Sequence, residues 1–214
     1  MLLKYCGNKS YDDVKVTASS EANHLGFIFA NSKREVQVSD VAKWLSEVNF
    51  TSKKIVAVFV NASLDRIKEV ITSLPIDIIQ LHGNESVYDI ELLKNEINQP
   101  IWKVIHHQQG AWDKMTDYKN VVDGFVIDSK VGSQWGGSGF PFEWKSIPFY
   151  VRESHKFNKP CYIAGGVTPE NIEVLLSYSI DGIDISSGIE ERFKKDEDRI
   201  KQIEEKVFKY ERAK

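Results

Sequence analysis

Apolar positions along the chain come in short, dense blocks separated by amphipathic stretches. The blocks are Leu2–Cys6, His24–Phe29, Ile55–Val60, Ile76–Leu81, Ile101–Ile105, Val121–Ile127, Pro160–Ala164 and Gly182–Ile185. Most are apolar at successive positions rather than at every second one, which suits strands covered on both faces in a parallel sheet. The stretches between them carry apolar residues at helical spacing. Examples are Tyr11, Val14 and Ala18; Val41, Ala42, Leu45 and Val48; Ile67, Val70, Ile71 and Leu74; Val87, Ile90, Leu93 and Ile97; and Ile200, Ile203, Val207 and Tyr210. Ser10, Ser39 and Thr168 are placed as N-caps, and Pro169 follows Thr168 at a first helical position. A weaker helix is predicted over Trp112–Lys119, and another from Trp144 to about Ser154 that Pro148 should interrupt or bend.

Eight strand-helix units with short connections predict a single-domain α/β protein over residues 1–214, a (β/α)8 TIM barrel. A doubly wound open sheet shares the alternation; the count of eight favours closure. One stretch breaks the pattern, Ser129–Gly139, which holds four glycines and fits neither element; such loops are commonly lids.

Composition narrows the function more than the fold. Hydrophobic residues are 42% and charged residues 28%, with a net charge of −3. That balance speaks against nucleic-acid or acidic-membrane partners. No apolar run reaches the roughly 18 residues of a membrane span, and the start at Met1 shows no leader pattern. Cys6 and Cys161 lie far apart with no metal-type spacing, as expected for a cytoplasmic protein with reduced thiols. Cys161, at the start of its strand, should be structural. No long exposed apolar element stands out, so a monomer is expected.

In a barrel, the C-terminal strand ends share one rim, and active sites sit there. The residues at those ends are Cys6, the Lys33-Arg34 loop, Asn61, His82, His106, Asp128, Gly165-Gly166, and Asp184 with Ser186-Ser187. Ala164-Gly165-Gly166 and Asp184-Ile185-Ser186-Ser187-Gly188 each follow a strand, and a helix N-terminus behind them would add partial positive charge. Backbone N–H groups converging there would make a phosphate cradle; two ordinary glycine turns are the plainer reading. Cys6 is a candidate thiol base, or a buried inert cysteine. Asp128 is a candidate acid, or a loop carboxylate paired with Lys130. Arg34 offers a bidentate fork for a carboxylate, or plain surface charge. His82 is left without a chemical role. His106-His107 has no cysteine or carboxylate at metal spacing, so no metal is expected. There is no dinucleotide fingerprint, so no cofactor is expected either.

Lys4-Tyr5-Cys6-Gly7, Leu25-Gly26-Phe27-Ile28-Phe29, Val58-Phe59-Val60-Asn61, Gln80-Leu81-His82-Gly83, Asp128-Ser129, Gly136-Gly137-Ser138-Gly139, Ala164-Gly165-Gly166 and Asp184-Ile185-Ser186-Ser187-Gly188 occur in that order. Together they resemble the phosphoribosylanthranilate isomerase family of tryptophan biosynthesis, over about Lys4 to Glu190. The resemblance implies a closed barrel and an Amadori rearrangement of a phosphorylated sugar-anthranilate substrate, without cofactor or metal. It implies Asp128 as general acid and Cys6 as general base. It implies Arg34 on the anthranilate carboxylate, and Gly165, Gly166, Asp184, Ser186, Ser187 and Gly188 around the sugar phosphate, with the loop holding Gly137 closing over them. Ser32-Lys33-Arg34 departs from the family's usual Ser-Pro-Arg, and Tyr5 replaces an aliphatic residue. Other readings are a histidine-pathway aminoaldose isomerase, which would carry an aspartate where Cys6 stands, and a non-catalytic barrel that kept only the phosphate cradle.

Overall fold

In the computed structural model, which describes residues 1–50, 52–129 and 142–212, eight parallel strands close in chain order into one barrel. They are β1 (Leu2–Tyr5), β2 (His24–Ile28), β3 (Lys54–Phe59), β4 (Ile78–Leu81), β5 (Ile101–His106), β6 (Gly124–Asp128), β7 (Cys161–Ile163) and β8 (Gly182–Ile185). Closure comes from β8 against β1, with Leu2 opposite Gly182 and Tyr5 opposite Ile185. The closed barrel, and not the open sheet, is the architecture. The helices are α1 (Tyr11–Ala18), α2 (Val38–Glu47), α3 (Leu64–Ser73), α4 (Val87–Glu96), α5 (Met115–Tyr118), α6 (Ile147–Lys156), α7 (Ile172–Leu176) and α8 (Glu197–Arg212). Among the described residues, no helix is long and apolar enough to cross a membrane.

Local chemistry explains three of the helix starts. Ser10 and Ser63 accept backbone N–H bonds from Asp13 and Arg66, and Ser86 with Asp89 forms a complete capping box. Three expectations change. Gln37, not Ser39, is the N-cap of α2, so Ser39 lies in the first turn. Pro148 does not bend a helix; it stands in the first turn of α6, where a missing N–H costs nothing, after a 3-10 turn over Trp144–Ser146. Thr168 opens a turn rather than a helix, and α7 begins four residues later, after Asn171.

Strand side chains alternate between two cores. Outward residues such as Leu3, Tyr5, Leu25, Phe27, Phe59, Phe125, Ile163 and Ile183 pack against Val14, Val41, Ile67, Val70, Ile90, Leu93, Leu175, Ile203 and Val207 of the helices. Each such aliphatic burial stabilises by about 1.5–3 kcal/mol relative to exposure. Inward residues are Cys6, Val56, Val58, Ile78, Trp102, Val104, Val126, Tyr162 and Ala164. His24, Trp102 and Tyr162 pack edge to face and tilted at the N-terminal ends of their strands and close the barrel floor. Burial there, with the charges of Lys4 and Lys54, lowers the His24 pKa to about 4. Cys161 is fully buried in the outer core, as its structural assignment requires.

Candidate active site

The C-terminal rim opens into a cavity of about 660 Å³. Its volume falls within the ~300–1,000 Å³ typical of small-molecule sites. Cys6, Arg34, Asp128, Gly165, Gly166, Asp184, Ser186, Ser187 and Gly188 all line it. The sequence-predicted site residues thus converge, except Gly137, which lies outside the described residues. The same wall includes His82 and Gln80 from the end of β4, and Ile28 and Val58 as apolar lining.

Cys6 directly follows β1, and its thiol lies beside two features of that strand's neighbourhood. Lys4 points inward, fully buried, and donates to Asp184 Oδ2 on β8 over 2.8 Å. Gly26 on β2 leaves the space: a Cβ there would lie 2.7 Å from Cys6 Sγ and 3.0 Å from Lys4 Nζ. Burial raises the thiol pKa above its ordinary value; Lys4 and Lys195 pull it down and Asp184 pushes it up, with burial prevailing. Lys4 itself loses hydration, but Asp184 and Cys6 outweigh that loss and hold it above the usual lysine value. Lys4 is therefore a fixed positive charge at the thiol. Nothing in the sequence pattern marks it, because a single lysine in an apolar strand reads equally well as an edge residue.

Asp128 ends β6, buried, with Oδ2 3.1 Å from His82 Nε2 but out of hydrogen-bond alignment. Its Oδ1 has no partner among the described residues, nor has the neighbouring Ser129 Oγ. His106, opposite Asp128 in register, meets the His82 carbonyl oxygen through Nε2 at 3.0 Å. Burial and the proximity of His82 lower the His106 pKa to about 4, so it is neutral at physiological pH.

The glycine turns take shape from their backbone angles. Gly165 and Gly166 have φ of 80° and 68°, a left-handed pair that side-chained residues rarely adopt. A Cβ on Gly165 would also lie 2.7 Å from Asp128 Oδ1, so this glycine lets the turn press on the carboxylate. Asn171 braces the turn: its Nδ2 donates to the Gly166 carbonyl, and its Oδ1 accepts from Thr168 N–H, both over 2.8 Å. The helix expected directly behind Gly166 is displaced, since α7 starts at Ile172 and has only five residues. After β8 a 3-10 turn over Ser187–Ile189 follows, and α8 begins only at Glu197. Gly165–Val167 and Ser186–Gly188 line the cavity as turns, with no long helix starting directly behind either.

Between that turn and α8 the chain forms an unforeseen hairpin, β9 (Glu190–Glu191) and β10 (Lys194–Lys195). Its two-residue turn, Arg192 and Phe193, has φ of 48° and 64°, the geometry of a primed hairpin turn built without glycine. Phe193 thereby stands at the cavity mouth, with Lys9 and Lys33 ammonium groups 5.6 and 5.7 Å from its ring centre. Arg34, in the loop after β2, forms a fork-to-fork pair with Glu190: Nε to Oε1 at 2.8 Å and Nη2 to Oε2 at 2.7 Å. Arg34 is thus no loose surface charge.

The sequence profile described as N-(5'phosphoribosyl)anthranilate (PRA) isomerase matches residues 3–206. The chain is 49% identical to the N-(5'-phosphoribosyl)anthranilate isomerase of Geobacillus thermodenitrificans, over 97% of this chain and 94% of that protein. To the enzyme of that name from Bacillus subtilis it is 43% identical, over 97% and 95%. Its fold resembles the crystal structure of phosphoribosyl anthranilate isomerase from Thermotoga maritima with a TM-score of 0.84, covering 98% and 99% of the two chains at 23% identity. Likeness of sequence along nearly the whole chain, joined to a barrel of matching shape, means that this chain belongs to the phosphoribosylanthranilate isomerase family.

Proposed function

We propose that the rim cavity converts N-(5-phosphoribosyl)anthranilate to 1-(2-carboxyphenylamino)-1-deoxyribulose 5-phosphate in tryptophan biosynthesis, with Asp128 as general acid and Cys6 as general base. The observation that carries the assignment is the arrangement of one cavity. Cys6 and Asp128 line it at the ends of β1 and β6, together with the glycine turns after β7 and β8 and the Arg34 loop. A substrate that carries both a phosphate and a carboxylate fits a cavity lined by glycine turns and an arginine.

The chemistry needs one proton delivered and one removed. Asp128 protonates the furanose ring oxygen as the C1–O bond breaks, and the anilino nitrogen lone pair forms the C=N bond of a Schiff base. The Cys6 thiolate then takes the proton on C2, and those electrons form the C1–C2 double bond while the C=N pair returns to nitrogen. The resulting enol becomes the ketone by proton transfer to C1. Asp128 ends as carboxylate and Cys6 as thiol, and proton exchange resets both. Lys4 supplies the fixed charge that offsets part of the cost of burying the thiolate.

Cys6→Ala and Asp128→Asn are each expected to lower kcat by about 10²–10⁴-fold, followed by the loss of substrate fluorescence. An inactive wild type, or variants that turn over at the wild-type rate, would refute the assignment. Gly165→Ala should both raise KM and lower kcat, because its Cβ would disturb the cradle and press on Asp128. The chain carries two unpaired cysteines, Cys6 and Cys161, and its exposed large apolar residues are scattered over β1, α1, α4, α6, α7, the β9–β10 turn and α8, which supports a cytoplasmic monomer. Sedimentation at micromolar concentration tests the oligomeric state; a dimer overturns it.

A further inference from the structure

We infer that Glu190 is a positioning residue that holds the guanidinium of Arg34 by one edge, so that the opposite edge is presented to the carboxylate of the substrate. The inference rests on the reading of Arg34 as the carboxylate clamp.

A guanidinium is planar and carries five N–H donors. Glu190 takes the side edge, Nε–H and one Nη2–H, at 2.8 and 2.7 Å. That pairing leaves the Nη1 hydrogens and the second Nη2 hydrogen, the end edge, without a partner among the described residues. A second carboxylate can meet that edge in the same plane. The cavity places the two groups accordingly: Arg34 is in its lining and Glu190 is not. The carboxylate stands behind the guanidinium, with only 5% of its side chain exposed.

Glu190 is itself fixed. Its Oε1 accepts from Lys195 Nζ over 2.9 Å, directly across the β9–β10 hairpin. Lys195 Nζ also donates to the Cys6 and Ser186 carbonyl oxygens over 2.6 and 3.0 Å. The hairpin thus ties Arg34 to the ends of β1 and β8, which carry the base and one side of the phosphate cradle. The stem of Arg34 lies across Gly7, whose φ is 75° and whose Cβ, if present, would lie 2.5 Å from Arg34 Cδ. Both ends of the arginine are therefore held. Two cations and one carboxylate leave the group with one net positive charge, which a substrate carboxylate would neutralise.

The test uses two substrates, phosphoribosylanthranilate and the phosphoribosylamine of aniline, which lacks the carboxylate. Glu190→Asp keeps the charge for Lys195 but draws the carboxylate back by about 1.5 Å, one carbon–carbon bond. It is expected to raise KM for phosphoribosylanthranilate about tenfold, with kcat within about threefold, because the lost interaction is one made equally in ground and transition states. KM for the aniline compound should not move. In an Arg34→Ala background, Glu190→Asp should add nothing. Glu190→Gln turns an N–H₂ toward the guanidinium donors and is expected to give the same split, so a poorly folding aspartate variant does not end the test. Equal rises in KM for both substrates, an additive effect on top of Arg34→Ala, or a lowered KM through release from competition would each overturn the inference. If Arg34→Ala leaves KM for phosphoribosylanthranilate at the wild-type value, the clamp reading itself fails, and that result is visible without any Glu190 variant.

Discussion

Two buried lysine–carboxylate pairs with nearly the same geometry lie on opposite faces of the barrel wall. Lys4 and Asp184 meet at 2.8 Å inside it, and Lys103 and Glu85 meet at 2.8 Å outside it, under the loop after β4. All four side chains are almost wholly buried. The outer pair is saturated. Lys103 Nζ donates to the Gly83 and Leu81 carbonyl oxygens as well as to Glu85 Oε2, and Glu85 Oε1 accepts from the backbone N–H groups of Asn61 and Gly83. The inner pair is not: Asp184 Oδ1 has no partner among the described residues, and Lys4 also interacts with the thiol of Cys6.

The difference separates structural from chemical use of buried charge. A saturated pair knits a loop, and its charges have nothing left to offer a ligand. An open pair beside a cavity keeps unmet valence where substrate will sit, and buried unmet polarity persists chiefly where function needs it. Asp128 Oδ1 and Ser186 Oγ, unpartnered among the described residues, belong to the same class and border the same cavity. Ion-pair distance alone would not tell these pairs apart.

The largest effect that tests this contrast is on stability. Lys103→Met strands a buried carboxylate and three loop hydrogen bonds, and should cost about 3–5 kcal/mol, lowering Tm by roughly 10 °C or more. The folded variant should keep kcat/KM within about threefold. A large loss of activity in protein shown to be folded would mean that the outer pair also serves the site. Lys4→Met should lose no more stability than that, since Asp184 borders the cavity and water can reach it. Its activity is the discriminating quantity. Without the ammonium group the Cys6 thiol rises further above its ordinary pKa, so the thiolate fraction at neutral pH falls. An opposite charge at such range moves a pKa by about 1–3 units, so kcat/KM near pH 7 should drop at least about tenfold and its ascending limb should move to higher pH. An unmoved pH profile would sever Lys4 from the base.

Much of this site was legible along the chain, because a barrel maps strand ends onto one rim. Once the apolar blocks are counted, Cys6, Asp128, Gly165-Gly166 and Ser186-Ser187 must be neighbours wherever they stand in sequence. What escaped is whatever depends on a partner chosen in three dimensions. Lys4 finds Asp184 across 180 residues, and Arg34 finds Glu190 across 156. In the sequence each is one more charge. The β9–β10 hairpin escaped for another reason: its turn residues, Arg192 and Phe193, are not the glycine or asparagine that announce such turns. The caps misread at Ser39 and Thr168 show a third limit. A hydroxyl residue near a helix start satisfies the pattern, but packing of the first turn decides which residue is the boundary.

The smallest effect is in acid, and it sharpens the contrast from the outer side. Burial tends to raise the pKa of Glu85, but Lys103 and the backbone N–H groups outweigh it and hold the carboxyl below its ordinary value. For Glu190, burial is likewise outweighed by Arg34 and Lys195. A carboxyl with a depressed pKa in the folded protein contributes stability that is fully present above the unfolded value, about 4.3, and is lost as pH falls through the folded one. Tm should therefore hold steady down to about pH 5 and decline below about pH 4.3, by on the order of a few degrees from these groups. In Lys103→Met the larger part of the pull that lowers Glu85 is gone while burial and the backbone N–H groups remain, so folding favours its ionised form less. The acid decline should then be shallower than in wild type, even though the variant melts lower at every pH. A decline of equal steepness in both proteins would mean that Lys103 and Glu85 are not coupled in solution, and that the outer pair owes its place to its backbone hydrogen bonds alone.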